Sequence, residues 1–102
     1  MWWDDQNLDK PRRNKSGEIW NIRVWHDVVQ NRRVVRVFFW NDERDVCGVR
    51  IFRPEDNTHV TALHDFIEKL VSSSALRQQY ARDLRFPLER HYSEYGIFPE
   101  ER

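Results

Sequence analysis

The stretch from residue 19 to residue 53 constrains the fold most, because its side chains alternate as they do in paired β-strands. Successive strand side chains point to opposite faces, and this stretch is rich in the β-branched and aromatic residues that strands favour. If Gln30 and Asn31 form a tight turn, its first two strands pair as a hairpin with an aliphatic set on one face. That set consists of Trp20, Ile22, Val24, Val28, Val35, Val37 and Phe39. A shift of the pairing by one residue would expose the apolar residues of one strand, so their burial favours this register.

The opposite face combines arginine side chains with aromatic rings. A polar loop over residues 41–45 leads to a third predicted strand, residues 46–53, whose parity places Arg50 and Phe52 on this second face. On the aliphatic side the same parity adds Cys47, Val49 and Ile51. We call the second face the Arg/aromatic face. Its predicted members, which are our candidate binding residues, are Arg23, Trp25, Arg32, Arg36, Phe38, Trp40, Arg50 and Phe52.

The register of the third strand stays open between two loop lengths. A five-residue loop sets Arg50 directly across from Arg36, where two like charges repel unless an anion lies between them. A three-residue loop keeps the same faces but sets Arg50 beside Phe38, where a guanidinium stacks favourably on a ring. The first arrangement predicts a bound anion, and the second needs no ligand.

The second half of the chain has helical periodicity. An acidic and polar start at residues 55–58 precedes apolar residues at helical spacing, and the serines at 72–74 end this first helix. A second helix follows to about residue 83, and a short third spans 88–95 before Gly96. The pattern predicts an α+β fold: a three-stranded antiparallel meander sheet followed by two or three helices. The first helix is expected on the aliphatic sheet face.

Length and composition limit the class of protein. With 102 residues, the chain has room for one core. Residues 1–17 form an N-terminal arm, and residues 18–102 form a single α+β domain. No apolar run reaches membrane-spanning length, no leader is evident, and one cysteine excludes an internal disulfide. These features predict a cytoplasmic protein without a membrane segment.

Residue patterns of catalysis or metal binding are missing from the sequence. His59 and His64 lie five apart on the predicted helix, so they point away from each other. Three isolated glycines do not make a phosphate-binding loop. Cys47 has the parity of the aliphatic face, which is typical of an inert buried thiol. We therefore expect no enzyme, no cofactor and no metal site.

The Arg/aromatic face is too apolar to be left in water, so its cover decides the function. One interpretation is a protein partner, including a second copy of this chain as a homodimer, because arginine and tryptophan are enriched at binding hot spots. A second is single-stranded nucleic acid, with bases stacked on the rings and phosphates on the arginines. A third is the chain itself, through the Trp2 and Trp3 arm or the last helices with Tyr92, Tyr95 and Phe98.

Net charge discriminates between the first two interpretations. The formal net charge is zero, whereas affinity for nucleic acid comes largely from neutralised phosphates and released counterions. Contacts between rings, guanidinium groups and a protein surface do not need such an excess of positive charge. The sequence therefore favours a small non-enzymatic binding module that contacts a protein partner through the Arg/aromatic face. Single-stranded nucleic acid binding and a face covered by the chain's own termini remain the alternatives.

Overall fold

The protein is an α+β domain in which a meander sheet precedes three helices. The computed structural model describes residues 12–13, 17–44, 46–53 and 57–101. The strands are β1 (Arg12–Arg13), β2 (Ile19–Val29), β3 (Arg32–Asn41) and β4 (Cys47–Phe52), which pair antiparallel in chain order. The helices are α1 (Asn57–Ser72), α2 (Ser74–Asp83), α3 (Leu88–Tyr95) and a 3₁₀ turn at Pro99–Glu101. The predicted fold class is confirmed, with the two-residue β1 added at the edge of the sheet.

The hairpin of β2 and β3 has the predicted register. Val24 pairs with Val37, and the turn residues Gln30 and Asn31 lie between paired Val29 and Arg32. Both turn residues have positive φ, 52° and 63°, as a two-residue hairpin turn that matches strand twist requires. Asparagine tolerates this conformation better than most residues. Of the predicted arm, the structure describes β1 and Gly17, and Trp2 and Trp3 lie outside the described residues.

The predicted faces of β4 are wrong, because the strand is shifted by one residue relative to both registers considered. Val49 pairs with Phe38 and Ile51 with Arg36. Cys47, Val49 and Ile51 therefore belong to the Arg/aromatic face. Arg50 and Phe52 belong to the aliphatic face.

The number of residues between Asn41 and Val46, which is four, causes this reversal, because three-residue and five-residue loops both give the opposite parity. The Arg44 N–H donates to the Asn41 carbonyl at 3.0 Å, and Arg44 has a φ of 62°. The Asn41 side chain then closes the loop, since its Oδ1 accepts from the Val46 N–H at 3.0 Å.

Helix α1 packs on the aliphatic face, as the periodicity predicted. Its buried side chains meet the aliphatic sheet residues in one core, and the Phe66 ring lies 5.6 Å from the Phe39 ring and 5.9 Å from the Phe52 ring. The helix contributes Leu63, Phe66, Ile67 and Leu70. None of the helices in the described ranges is long and apolar enough to cross a membrane.

The Arg/aromatic face and its C-terminal cover

Five of the predicted contact residues share the central part of one sheet face. Trp25 pairs with Arg36 and Arg23 with Phe38, as predicted, and Trp40 extends the same row. Three side chains of β4 complete the surface, namely Cys47, Val49 and Ile51. The sheet thus presents its largest rings in one continuous row across β2 and β3.

The other three predicted residues lie in two different places. Arg32 has the correct parity but lies exposed at the hairpin end, opposite Val29. Arg50 lies on the other side of the sheet, with its guanidinium carbon 5.2 Å from the ring centres of both Phe52 and Phe66. Neither arrangement predicted for Arg50 occurs, so the anion expected between Arg50 and Arg36 has no site.

The segment from residue 84 to residue 101, here called the C-terminal cover, lies on the Arg/aromatic face. Its first residues pair with the edge of β4: the Val49 N–H donates to the Leu84 carbonyl and the Phe86 N–H to the Cys47 carbonyl, each at 3.0 Å. This short bridge satisfies backbone groups that an edge strand would otherwise expose. Pro87 then leads into α3, which crosses the face.

The covered rings form a second hydrophobic core. Trp25, Phe38 and Trp40 are 4%, 2% and 5% exposed. From the cover, they are joined by Phe86, Leu88, Ile97 and Phe98. Of the three covers weighed from the sequence, the chain's own C-terminal segment occupies the face in this structure.

His91 lies at the centre of this second core and is fully buried. Its ring centre is 4.7 Å from that of Trp25 and 4.6 Å from those of Phe38 and Tyr95. Its Nδ1 donates to the carbonyl of Ile97 at 2.6 Å, whereas its Nε2 is buried without a hydrogen-bond partner. Burial lowers the pKa of the imidazole, and the bond to Ile97 and nearby carboxylates oppose this shift without offsetting it.

Polar bonds fasten the last turn of the cover to the sheet. The Trp25 Nε1–H donates to the Pro99 carbonyl at 3.2 Å, and the Arg23 Nη2–H donates to the Glu100 carbonyl at 3.3 Å. The Glu100 carboxylate also pairs with Arg44. Even so, Arg23 Nε and Glu100 Oε2 are buried without partners, and such atoms weaken an interface. Among the described residues, the interface between the cover and the sheet therefore leaves buried polar atoms without hydrogen-bond partners, whereas the aliphatic core does not.

Charge on the face is partly neutralised within the hairpin. Arg36 forms an ion pair with Asp27, three residue pairs from the hairpin turn. Both side chains are mostly shielded from water, so the guanidinium has a partner at the position where we expected a ligand. The arginines of this face therefore serve internal contacts: Arg36 holds the hairpin, and Arg23 holds the cover.

His91 was not among the residues predicted to pack in a core. Leu88, His91 and Tyr95 recur at spacings of three and four, which places them on one helix face. That periodicity is visible in the sequence and was the available signal. Histidine is less often buried than leucine, so the sequence of this helix face does not by itself indicate that His91 belongs to a core.

A cleft between the cover and the end of the β3–β4 loop brings several polar groups together. It has a volume of about 240 Å³, and its lining includes Arg44, Cys47, Arg85 and Glu89. The Cys47 thiol is buried and donates to the Arg44 carbonyl at 3.3 Å. Among the described residues, no three His, Cys, Asp or Glu side chains are grouped to hold a metal ion.

Comparisons with protein-family models, with curated proteins and with solved structures gave no match to this chain.

Proposed function

We propose that this chain is a small non-enzymatic binding module that contacts a protein partner through the end of the β2–β3 hairpin. The Arg/aromatic face, which the sequence favoured as the contact surface, is occupied by the C-terminal cover. A partner that binds the closed protein must therefore use another surface. We call residues 28–33 the hairpin tip.

The observation that supports this proposal is the exposure of the hairpin tip. All six tip residues are exposed, and Val28 is 72% exposed, the highest value among the large apolar side chains that are described. Val28 and Val29 point to opposite faces of the hairpin, so the tip is apolar on both sides. Apolar side chains on a projecting turn gain most when a partner removes them from water.

The tip also extends past the rest of the sheet. The last pair that β3 makes with β4 is Val35 with Phe52, and three further pairs of β2 and β3 follow before the turn. Three residues of strand span about 10 Å. The shape is a narrow projection, which fits a concave site on a partner better than a flat interface.

A different protein is the partner that we propose, because two clefts of this chain are poorly suited to apolar side chains. They are lined by charged groups, including Arg85 and Glu89 in one and Glu18 and Arg77 in the other. The valines would displace water from these charged groups without offering them a polar partner. Single-stranded nucleic acid is disfavoured, since the three largest rings of the Arg/aromatic face are buried and cannot stack on bases.

Site-specific photocrosslinking tests the contact. A photoreactive residue at Gln30 in the tip should capture a protein that the same residue at Gln79, exposed on α2, does not capture. The captured protein is then purified, and its affinity for the chain is measured by calorimetry. Val28→Lys should weaken binding at least about tenfold, equivalent to about 1.4 kcal/mol, whereas Ala75→Lys on α2 should not.

Four results contradict the proposal. Equal capture from Gln30 and Gln79 would mean that the partner does not bind preferentially at the tip. Unchanged affinity for the Val28→Lys variant would place the contact elsewhere. Sedimentation of the purified protein alone as a dimer, lost in Val28→Lys, would make the partner a second copy. Quenching of tryptophan fluorescence by an oligonucleotide would favour nucleic acid instead.

A further inference from the structure

We propose that residues 88–101 of the C-terminal cover form an acid-released lid: protonation of His91 detaches them from the Arg/aromatic face while the aliphatic core stays closed. This inference is independent of the proposed contact at the hairpin tip. It concerns a second surface, which the closed protein hides. The contacts of His91 carry it.

The closed interface fits only the neutral imidazole. Nδ1 carries a proton, since it donates to the Ile97 carbonyl, and Nε2 is then an unprotonated nitrogen in a buried position. A second proton would place an N–H donor at Nε2, where the described residues offer no acceptor. It would also place a positive charge among the rings of Trp25, Phe38 and Tyr95. A buried donor and charge without partners destabilise the closed state.

The charged groups around His91 do not reverse this preference. Glu94 on α3 and Glu100 in the 3₁₀ turn both favour the protonated ring. Arg23 on β2 reaches the same turn with a positive charge, through its bond to the Glu100 carbonyl. The other contacts of His91 are with uncharged rings, those of Phe38 on β3 and Phe86 in residues 84–87. The balance lowers the pKa of His91 in the closed state, with burial the largest cause.

The direction of the pH effect follows from that balance. In the detached segment, His91 has an ordinary pKa of about 6.5, and in the closed protein its pKa is lower. Closure is therefore fully favoured above the ordinary pKa. As the pH falls from there toward the closed-state pKa, the closure constant decreases by about tenfold for each pH unit.

The cover is the element that responds, because the two cores differ in their buried groups. The aliphatic core is built from apolar side chains of the sheet and α1, and the histidine described on α1, His64, is exposed. Residues 88–101 are joined to α2 by residues 84–87, which make two backbone hydrogen bonds to the edge of β4. Residues 88–101 can thus separate without breaking the hairpin or α1.

Hydrogen exchange measured by mass spectrometry tests the proposal. Between about pH 7.5 and about pH 5, after correction for intrinsic exchange rates, peptides from residues 88–101 should lose protection by about tenfold or more. Peptides from residues 63–70 should keep theirs. The fluorescent dye ANS should bind over the same pH range, because the uncovered face exposes Trp25, Phe38 and Trp40.

The His91→Phe variant removes the titrating group and retains a ring, so its cover should stay protected down to about pH 5. His64→Gln, at an exposed site of α1, should behave as the wild type. A titration of the His91 ring protons by NMR in the wild type gives the same information if the variant does not fold: the apparent pKa should lie below about 6.5.

The proposal is overturned if both peptide groups lose protection at the same pH, because that result is global unfolding. It is also overturned if protection of residues 88–101 is unchanged at about pH 5, or if His91→Phe retains the wild-type pH dependence.

Discussion

Gly48 illustrates how one residue positions two layers of the molecule. A β-carbon at this position would lie 2.3 Å from Cζ of Phe39 and 2.8 Å from the carbonyl oxygen of Leu84. The ring belongs to the aliphatic core, and the carbonyl belongs to the segment that pairs with the edge of β4. Only the α-hydrogen of a glycine fits between the Phe39 ring and the Leu84 carbonyl.

Gly48→Ala should lower the free energy of unfolding by about 1–3 kcal/mol, the usual effect of overpacking a core. The added methyl group must displace either the Phe39 ring or the Leu84 backbone, and neither is the free end of a flexible chain. Urea denaturation gives the measurement. Thr61→Ala, exposed on α1, serves as the control and should change stability by less than about 0.5 kcal/mol. Equal stability of the two variants would mean that β4 and its edge pairing are placed incorrectly.

At the scale of elements, the hairpin was predictable and β4 was not. In β2 and β3, large apolar residues of matching parity leave one acceptable register, and Gln30 and Asn31 accept the turn conformation. In β4 both parities carry apolar residues, so burial does not choose between its faces. The choice is made by the four-residue loop, and a loop length cannot be read from polar residues alone.

Asn41 is the residue that closes this loop. It is 6% exposed, and its Oδ1 accepts from the Val46 N–H, so Asn41→Ala leaves that part-buried donor without its partner. We expect a loss of about 1–3 kcal/mol in the free energy of unfolding, measured by thermal and urea denaturation. Asn21→Ala is the matched control, because the amide of Asn21 bonds Asp42 at an exposed site and should contribute less than about 1 kcal/mol. Similar losses in both variants would argue against the loop as the determinant of register.

The position of the cover also could not be chosen from the sequence. The sequence offered the arm and the last helices as internal covers, and a partner surface as an external one. Each supplies rings of suitable size. The bonds of Trp25 to Pro99 and of Arg23 to Glu100 that select the C-terminal segment join residues more than 70 positions apart. No local pattern predicts pairs at that separation.

The whole molecule is a sheet with a core on each face. One core joins the sheet to α1, and the other joins it to the C-terminal cover. Because β3 contributes alternate side chains to both cores, a substitution that disrupts either core should destabilise the entire sheet. The Arg/aromatic face is thus part of the folded interior in the closed protein.

Trp40→Ala should therefore lower the free energy of unfolding by about 3–5 kcal/mol, as expected when a buried ring is truncated. Val28→Ala removes an apolar side chain of the same sheet from an exposed site, and it should lower stability by less than about 1 kcal/mol. Chemical denaturation of both variants gives the comparison. A Trp40→Ala protein that keeps wild-type stability and loses only self-association would instead make this face an interface between copies.

The most direct test of the account is the nuclear Overhauser spectrum at neutral pH, because the central claim is the position of α3 on the Arg/aromatic face. Cross-peaks should connect the imidazole protons of His91 with ring protons of Phe38 and Trp25, whose ring centres lie 4.6 and 4.7 Å away. Cross-peaks between Phe39 and Phe66, at 5.6 Å, report the aliphatic core in the same sample. If the Phe39–Phe66 cross-peaks are present and both sets from His91 are missing, the cover does not lie on this face and the account is contradicted.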